Sequence, residues 1–209
     1  MRAQGAVKLA IKTRLFPDEY VPRRIRFGPA RGVVILMNRR YDLQREFGVY
    51  ESELLGIYRV HVTPGSLVYD LGAADGLTAL TFAALGASVV AFEPNAAIRE
   101  RFTRNLELNP DLAARITLVA EAFTDTGDVP DFVKIDVDGA ELDILEGLAT
   151  LPNAVVIETH SLELENGCSR LLTARGLNVT LVPNARWRAL YPEWRPLEHN
   201  RWLLATRSG

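Results

Sequence analysis

A chain of 209 residues is long enough to bury one full hydrophobic core and short for two domains of ordinary size. With 48% hydrophobic and 24% charged residues it falls outside the disordered and disulfide-built classes, and a single cysteine, Cys168, excludes an internal disulfide or a cysteine-ligated metal cluster. The formal net charge is only −2, but residues 1–40 carry ten Lys or Arg against Asp18 and Glu19, which leaves about −10 for the rest. No apolar run approaches the roughly 20 residues that span a bilayer. The basic residues of Met1–Leu15 are spaced through apolar ones, unlike a secretory signal, so a cytoplasmic protein is expected.

Residues 1–63 precede a regular alternation of elements. Within them, Gly28, Gly32 and the apolar run Val33–Met37 predict a small hairpin, and a helix is expected from about Glu51 to Val60. This segment, with its basic arm, is read as a covering unit for the domain formed by residues 64–209. From Ser66 on, short β-branched runs alternate with longer helical stretches. Strands are predicted at Leu67–Leu71, Ser88–Phe92, Ile116–Ala120, Phe132–Val137, Ala154–Glu158, Asn178–Val182 and Trp202–Thr206. Helices fit at Leu77–Leu85, Ala96–Leu108, Ala140–Ala149 and Leu162–Arg175, the last closed by Gly176. The fold class is α/β: a mostly parallel sheet of seven strands with helices on both faces. Ligands of such sheets sit beyond the carboxyl ends of the strands.

The polar residues at those ends are therefore the candidate site. The first strand runs into Asp70-Leu71-Gly72-Ala73-Ala74-Asp75-Gly76, a small-residue turn that opens a helix. A dinucleotide loop would have glycine where Ala74 stands, so that pyrophosphate could approach, and Asp70 would repel that pyrophosphate. Asp70 suits a ligand with a cationic amino group and a sulfonium, which is S-adenosylmethionine. Glu93, at the tip of the second strand before Pro94 and Asn95, is placed to accept both hydroxyls of a ribose. Glu121 and Ala122, after the third strand, would border the adenine.

The fourth strand continues into Asp136-Val137-Asp138-Gly139-Ala140-Glu141. Asp138 and Glu141 read as acids of a helix start, Asp138 as its cap, while Asp136 belongs to the strand and faces the crevice. The spacing does not fit a calcium loop. The fifth strand ends Glu158-Thr159-His160, bringing a carboxylate and an imidazole beside those acids. An imidazole there can take the proton of an acceptor hydroxyl. Asp136, Glu158 and His160 also have the donor types for a divalent cation, but direct base catalysis is preferred and no metal is assigned.

As a set, Val68-Tyr69-Asp70-Leu71-Gly72-Ala73 with Asp75-Gly76, Phe92-Glu93-Pro94-Asn95, Val133-Lys134-Ile135-Asp136-Val137-Asp138-Gly139-Ala140-Glu141-Leu142 and Ile157-Glu158-Thr159-His160 resemble the FkbM-type family of S-adenosylmethionine-dependent methyltransferases. The resemblance covers residues 48–165. It implies a Rossmann-like class I methyltransferase fold with an antiparallel last strand, S-adenosylmethionine as cofactor and a tendency toward O-methylation. Gly48-Val49-Tyr50-Glu51 looks like the family's approach to the first strand, which places Glu51 at the cofactor pocket.

The expected function is methyl transfer to a small-molecule or glycan-like hydroxyl. His160, Asp136 and Glu158 are the catalytic candidates, and Asp138 and Glu141 shape the substrate edge. The basic arm suits an anionic acceptor or a membrane surface, and no stable nucleic-acid complex is expected. Trp187, Trp194 and Trp202, interleaved with Arg186, Arg188, Arg195 and Arg201, have the pattern of a stacking surface for a sugar or bases. The competing reading is a non-catalytic cofactor-binding module that holds RNA or a protein partner through its arm. A dinucleotide-dependent oxidoreductase is disfavoured by Ala74.

Overall fold

The computed structural model describes residues 14–124, 127–185 and 199–207. The chain forms β1 (Val21–Arg24), β2 (Val34–Met37), α1 (Leu43–Glu46), α2 (Leu55–His61), β3 (Leu67–Leu71) and α3 (Leu77–Ala84). It continues through β4 (Ser88–Phe92), α4 (Ala96–Glu107), α5 (Pro110–Ala113), β5 (Ile116–Val119) and β6 (Phe132–Ile135). The last elements are α6 (Glu141–Gly147), β7 (Ala154–Thr159), α7 (Leu162–Ala174), β8 (Leu177–Val182) and β9 (Arg201–Arg207).

Seven strands form one sheet in the order β5-β4-β3-β6-β7-β9-β8. β9 runs antiparallel between β7 and β8, and the pairs among β5, β4, β3, β6 and β7 are parallel. The chain leaves β3 toward β4 on one side and returns to β6 on the other. The crevice beyond the tips of β3 and β6 is thus the point where strand order reverses.

All six residues of β7 are buried, because a central parallel strand is covered on both faces. Side-chain alternation sorts the core into two layers. Val68, Phe132, Ala154, Val156 and Trp202 pack under α2, α3 and α4 through Tyr58, Phe82 and Phe102. Tyr69, Leu71, Val133, Ile135, Val155 and Ile157 pack under α6 and α7 through Leu145, Cys168 and Leu172. Each fully buried large apolar side chain contributes about 1.5–3 kcal/mol of transfer free energy.

The same period of two places Asp70, Lys134, Asp136 and Glu158 on the face of Val68, Phe132 and Val156, at its carboxyl end. The predicted hairpin forms: β1 and β2 pair antiparallel, with Val21 opposite Met37. It docks on α4 and the α4–α5 junction through two side-chain amides. Asn105 Oδ1 accepts from the Leu36 amide at 2.8 Å, and Asn109 Oδ1 accepts from the Val34 amide at 2.9 Å. The expected covering helix is present but begins at Leu55, after the short α1 and the bend at Glu51, whose φ is +47°.

Other boundaries shift modestly. β6 stops at Ile135, so Asp136 is the first residue past the strand. Asp138 does not cap α6: the cap position is Ala140, without a side-chain bond, and the Asp138 side chain is 84% exposed. Gly139, with φ of +97°, turns the chain between them and leaves Asp138 on the outside. Residues 1–13 of the basic arm lie outside the described residues, as do Arg186, Trp187, Arg188, Trp194 and Arg195 of the long connection. Trp202 is fully buried in β9, so its place is in the core and not on a stacking surface. Among the described residues no helix is long and apolar enough to cross a membrane.

Candidate active site

The loop after β3 is shaped by what lies against it. Gly72 has φ of +80°, and a Cβ there would stand 1.9 Å from the Asp136 carbonyl oxygen, so only glycine lets the tips of β3 and β6 meet. Gly76 (φ of +84°) abuts the ring of Phe102, which a Cβ would meet at 2.1 Å. Between them Ala74 takes a left-handed φ of +49° and turns its amide to Glu93, whose Oε2 accepts it at 3.0 Å. Glu93 Oε1 accepts from the Asn95 amide at 2.8 Å, so the carboxylate binds loop and strand tip together.

Asp70 is fully buried, and among the described residues no side chain hydrogen-bonds its carboxylate oxygens, the Ala79 amide being its nearest donor on the backbone. Burial pushes it up to about 7, against the pull of Lys134 and with the push of Asp136 and Glu51. A buried carboxyl with no side-chain partner is costly unless something pairs with it. Asp75 plays a different part. Its Oδ2 is 2.5 Å from Arg45 Nη1, and its carbonyl accepts from Asn105 Nδ2 at 2.8 Å, which ties the N-terminal unit to this loop. Arg45 also lies 5.0 Å over the ring of Tyr50.

Across the crevice Lys134 is 2% exposed, with Nζ 2.8 Å from Asp136 Oδ2 and 5.2 Å over the Trp202 ring. Against burial, Lys134 holds Asp136 down to about 2. Glu158 is pushed up to about 7 by burial, with His160 pulling it down and Asp136 pushing it up. His160 follows β7 and is gripped from one side: Nδ1 lies 2.5 Å from Oε1 of the fully buried Glu141. That bond and Glu158 raise the imidazole to about 10. Its Nε2 is buried without a hydrogen bond among the described residues, 3.6 Å from both Glu158 Oε2 and Asp138 Oδ1.

The structure thus gathers Asp70, Glu51, Asp136, Glu158 and His160 around the tips of β3, β6 and β7, with Gly72, Ala74, Asp75, Gly76 and Glu93 on the adjoining loop. Glu51 is buried close enough to Asp70, Lys134 and Glu158 to perturb each. Glu141, read from sequence as a substrate-edge acid, faces inward and holds His160. Pro94, Glu121 and Ala122 are exposed at the tips of β4 and β5. Asn95 caps α4, its Oδ1 accepting from Ala97 and Ile98.

Sequence reasoning assigned no role to Lys134 or Arg45. A lysine inside an otherwise apolar strand, between two acids of neighbouring strand tips, was the available signal for the first. The signal for Arg45 was absent, since its partner is 30 residues away.

No curated protein matches the chain. The family model described as the methyltransferase FkbM domain matches residues 113–200. The fold matches solved methyltransferases. One is the magnesium protoporphyrin IX methyltransferase of Synechocystis PCC 6803 with bound S-adenosylmethionine: TM-score 0.58, 17% identity, 81% of each chain covered. Another is the precorrin-6y C5,15-methyltransferase of Geobacter metallireducens: TM-score 0.55, 20% identity, 77% of this chain and 88% of that one. A rRNA methylase of Streptococcus thermophilus gives 0.55 at 13% identity, with 77% and 96% covered. The protein carries an FkbM methyltransferase domain match on a class I methyltransferase fold.

Proposed function

We propose that the protein is an S-adenosylmethionine-dependent O-methyltransferase acting on a small-molecule or glycan-like hydroxyl. The observation that carries the reading is the pairing of two half-sites across one crevice. Asp70 and Glu93 stand on the cofactor side, and an imidazole with one nitrogen held and the other unbonded stands on the acceptor side.

S-adenosylmethionine supplies a methyl group already activated by its sulfonium, so the chain's task is alignment and proton removal. Asp70 meets the cationic amino acid end of the cofactor, and the loop Gly72–Gly76 admits it closely. Glu93 retains lone pairs for the ribose hydroxyls after accepting its two backbone bonds. Pro94 and Asn95, with Glu121 and Ala122, border the adenine edge. Glu51 closes the pocket from the N-terminal unit. Asp136, Glu158 and His160 receive the acceptor hydroxyl, whose proton passes to His160 once the imidazole, raised to about 10, has lost its own, so turnover rises with pH; Glu141 keeps the ring oriented, and the exposed Asp138 meets the rest of the acceptor. Arg24, Arg26 and Arg31, exposed beside Phe27 on the hairpin unit, suit an anionic acceptor or a membrane surface. The single, buried thiol of Cys168 suits a reducing cytoplasm.

The test is transfer of labelled methyl from S-adenosylmethionine to a panel of sugars, lipids, small hydroxylated compounds, amines and RNA. Incorporation into a hydroxyl compound, lost in His160→Ala with cofactor affinity retained, is expected. Incorporation only into amines or RNA would refute O-methylation.

A further inference from the structure

We propose that Asp136, Glu158 and His160 form a binding site for one divalent transition-metal ion. One donor atom from each residue lies within 4.8 Å of the others, at the tips of β6 and β7. Ligands placed about 2.0–2.2 Å from an ion cannot be much more than about 4.4 Å apart. Small side-chain rotations therefore close the set.

Two observations separate this cluster from a solvated patch of acids. First, the His160 side chain is only 8% exposed, and its Nε2 has no hydrogen-bond partner among the described residues. Glu141 occupies Nδ1 at 2.5 Å and leaves Nε2 to a further partner, 3.6 Å from Glu158 Oε2 on one side and from the exposed Asp138 Oδ1 on the other. A carboxylate on the far nitrogen of a metal-ligating histidine is the usual supporting contact, because it fixes the ring and raises its basicity. Second, the Asp136 and Glu158 side chains are only 25% and 5% exposed at adjacent strand tips, and two carboxylates held that close need a proton or a cation between them.

The fixed positive charge nearby is already committed, since Lys134 is 2.8 Å from Asp136 Oδ2 while Asp70 and Glu51 also face it. Three protein donors leave coordination positions open toward the crevice. Two carboxylates with one imidazole suit a first-row divalent ion such as Mn²⁺. The site stands on these residues alone. Only the ion's use rests on the methyl-transfer reading: holding the acceptor oxygen and lowering the pKa of its hydroxyl, with His160 then a ligand and not the proton acceptor.

The experiment is a titration of the full-length chain with MnCl₂, without S-adenosylmethionine or acceptor, following free Mn²⁺ by electron paramagnetic resonance. One bound ion per chain is expected, with an imidazole ¹⁴N coupling in the pulsed spectrum. Affinity should fall at least tenfold in His160→Ala and Asp136→Asn, and about 10–100-fold in Glu141→Gln, which removes only the supporting contact. Asp111→Asn, at an exposed acid of α5 away from the site, should bind as the parent does. Absence of binding at millimolar Mn²⁺ would overturn the site. So would binding without the nitrogen coupling, or binding lost in Asp111→Asn and kept in His160→Ala. Wild-type spectra decide the matter even if a variant fails to fold. Because no methyl donor is present, a negative result leaves methyl transfer standing, and a failure of methyl transfer leaves the ion's binding to be read directly.

Discussion

The pair Arg45–Asp75 joins the N-terminal unit to the loop after β3, and its removal has a computable cost. The side chains are 18% and 7% exposed, with a separation of 2.5 Å. Desolvation of Arg45 is more than offset by Asp75 together with Tyr50 and Asp42, so the guanidinium stays firmly charged. Arg45→Ala leaves a carboxylate buried without its partner, for which about 3–5 kcal/mol of destabilisation is typical. Replacing both residues removes the stranded charge, so Arg45→Ala/Asp75→Ala should be less destabilised than Arg45→Ala alone. At a urea m-value of about 2–3 kcal/mol/M the single variant's midpoint should fall by roughly 1–2 M. The assay is a double-mutant cycle by urea denaturation, monitored by far-UV circular dichroism. A loss below about 1 kcal/mol in Arg45→Ala, or simple additivity of the two single variants, would refute the reasoning, because it would mean the pair behaves as an exposed one.

Further outcomes follow from the same structure. Gly76→Ala places a methyl 2.1 Å from the Phe102 ring at a left-handed φ, and should lower the thermal midpoint by several degrees or prevent folding, as a melt would show. Glu93→Ala strands the amides of Ala74 and Asn95 and removes the proposed ribose acceptor, so S-adenosylmethionine affinity measured by calorimetry should fall by roughly a hundredfold. Glu46 is held below its ordinary value of 4.5 by its hydrogen bonds with Arg39 and Arg26. Its stabilisation is therefore present above that value and lost as pH falls through the lower folded value. Glu46→Gln should flatten the acid limb of a stability-against-pH curve, and an unchanged limb would contradict the assignment.

The sheet was legible because parallel strands covered on both faces read as continuous apolar runs, as in Ala154-Val155-Val156-Ile157, and because Gly176 stops α7 where a left-handed turn is needed. The hairpin and strand-tip acids were legible for the same local reasons. The contacts that give those acids their character were not. Glu141 looks like a helix-start acid in sequence, and only the packing of α6 against β7 turns it toward His160, 19 residues away. Asp138 looked like a cap because its spacing to Glu141 fits one; the Gly139 turn moves the cap position to Ala140 and leaves the carboxylate outside. Asp75 sits in a cofactor-loop pattern, yet its side chain is taken by an arginine from the covering unit. Short-range pattern reports which residues reach an edge; pairing across the edge depends on tertiary placement.

The central claim is a pocket in which Asp70 and Glu93 hold an adenosyl cofactor, and calorimetric titration of the full-length chain with S-adenosylmethionine, beside NAD, tests it most directly. The account predicts one S-adenosylmethionine bound per chain, weakened roughly tenfold to a hundredfold in Asp70→Asn with the fold intact, and no NAD binding. Saturable NAD binding with no response to S-adenosylmethionine, or an Asp70→Asn variant that binds S-adenosylmethionine as tightly as the parent, would contradict it.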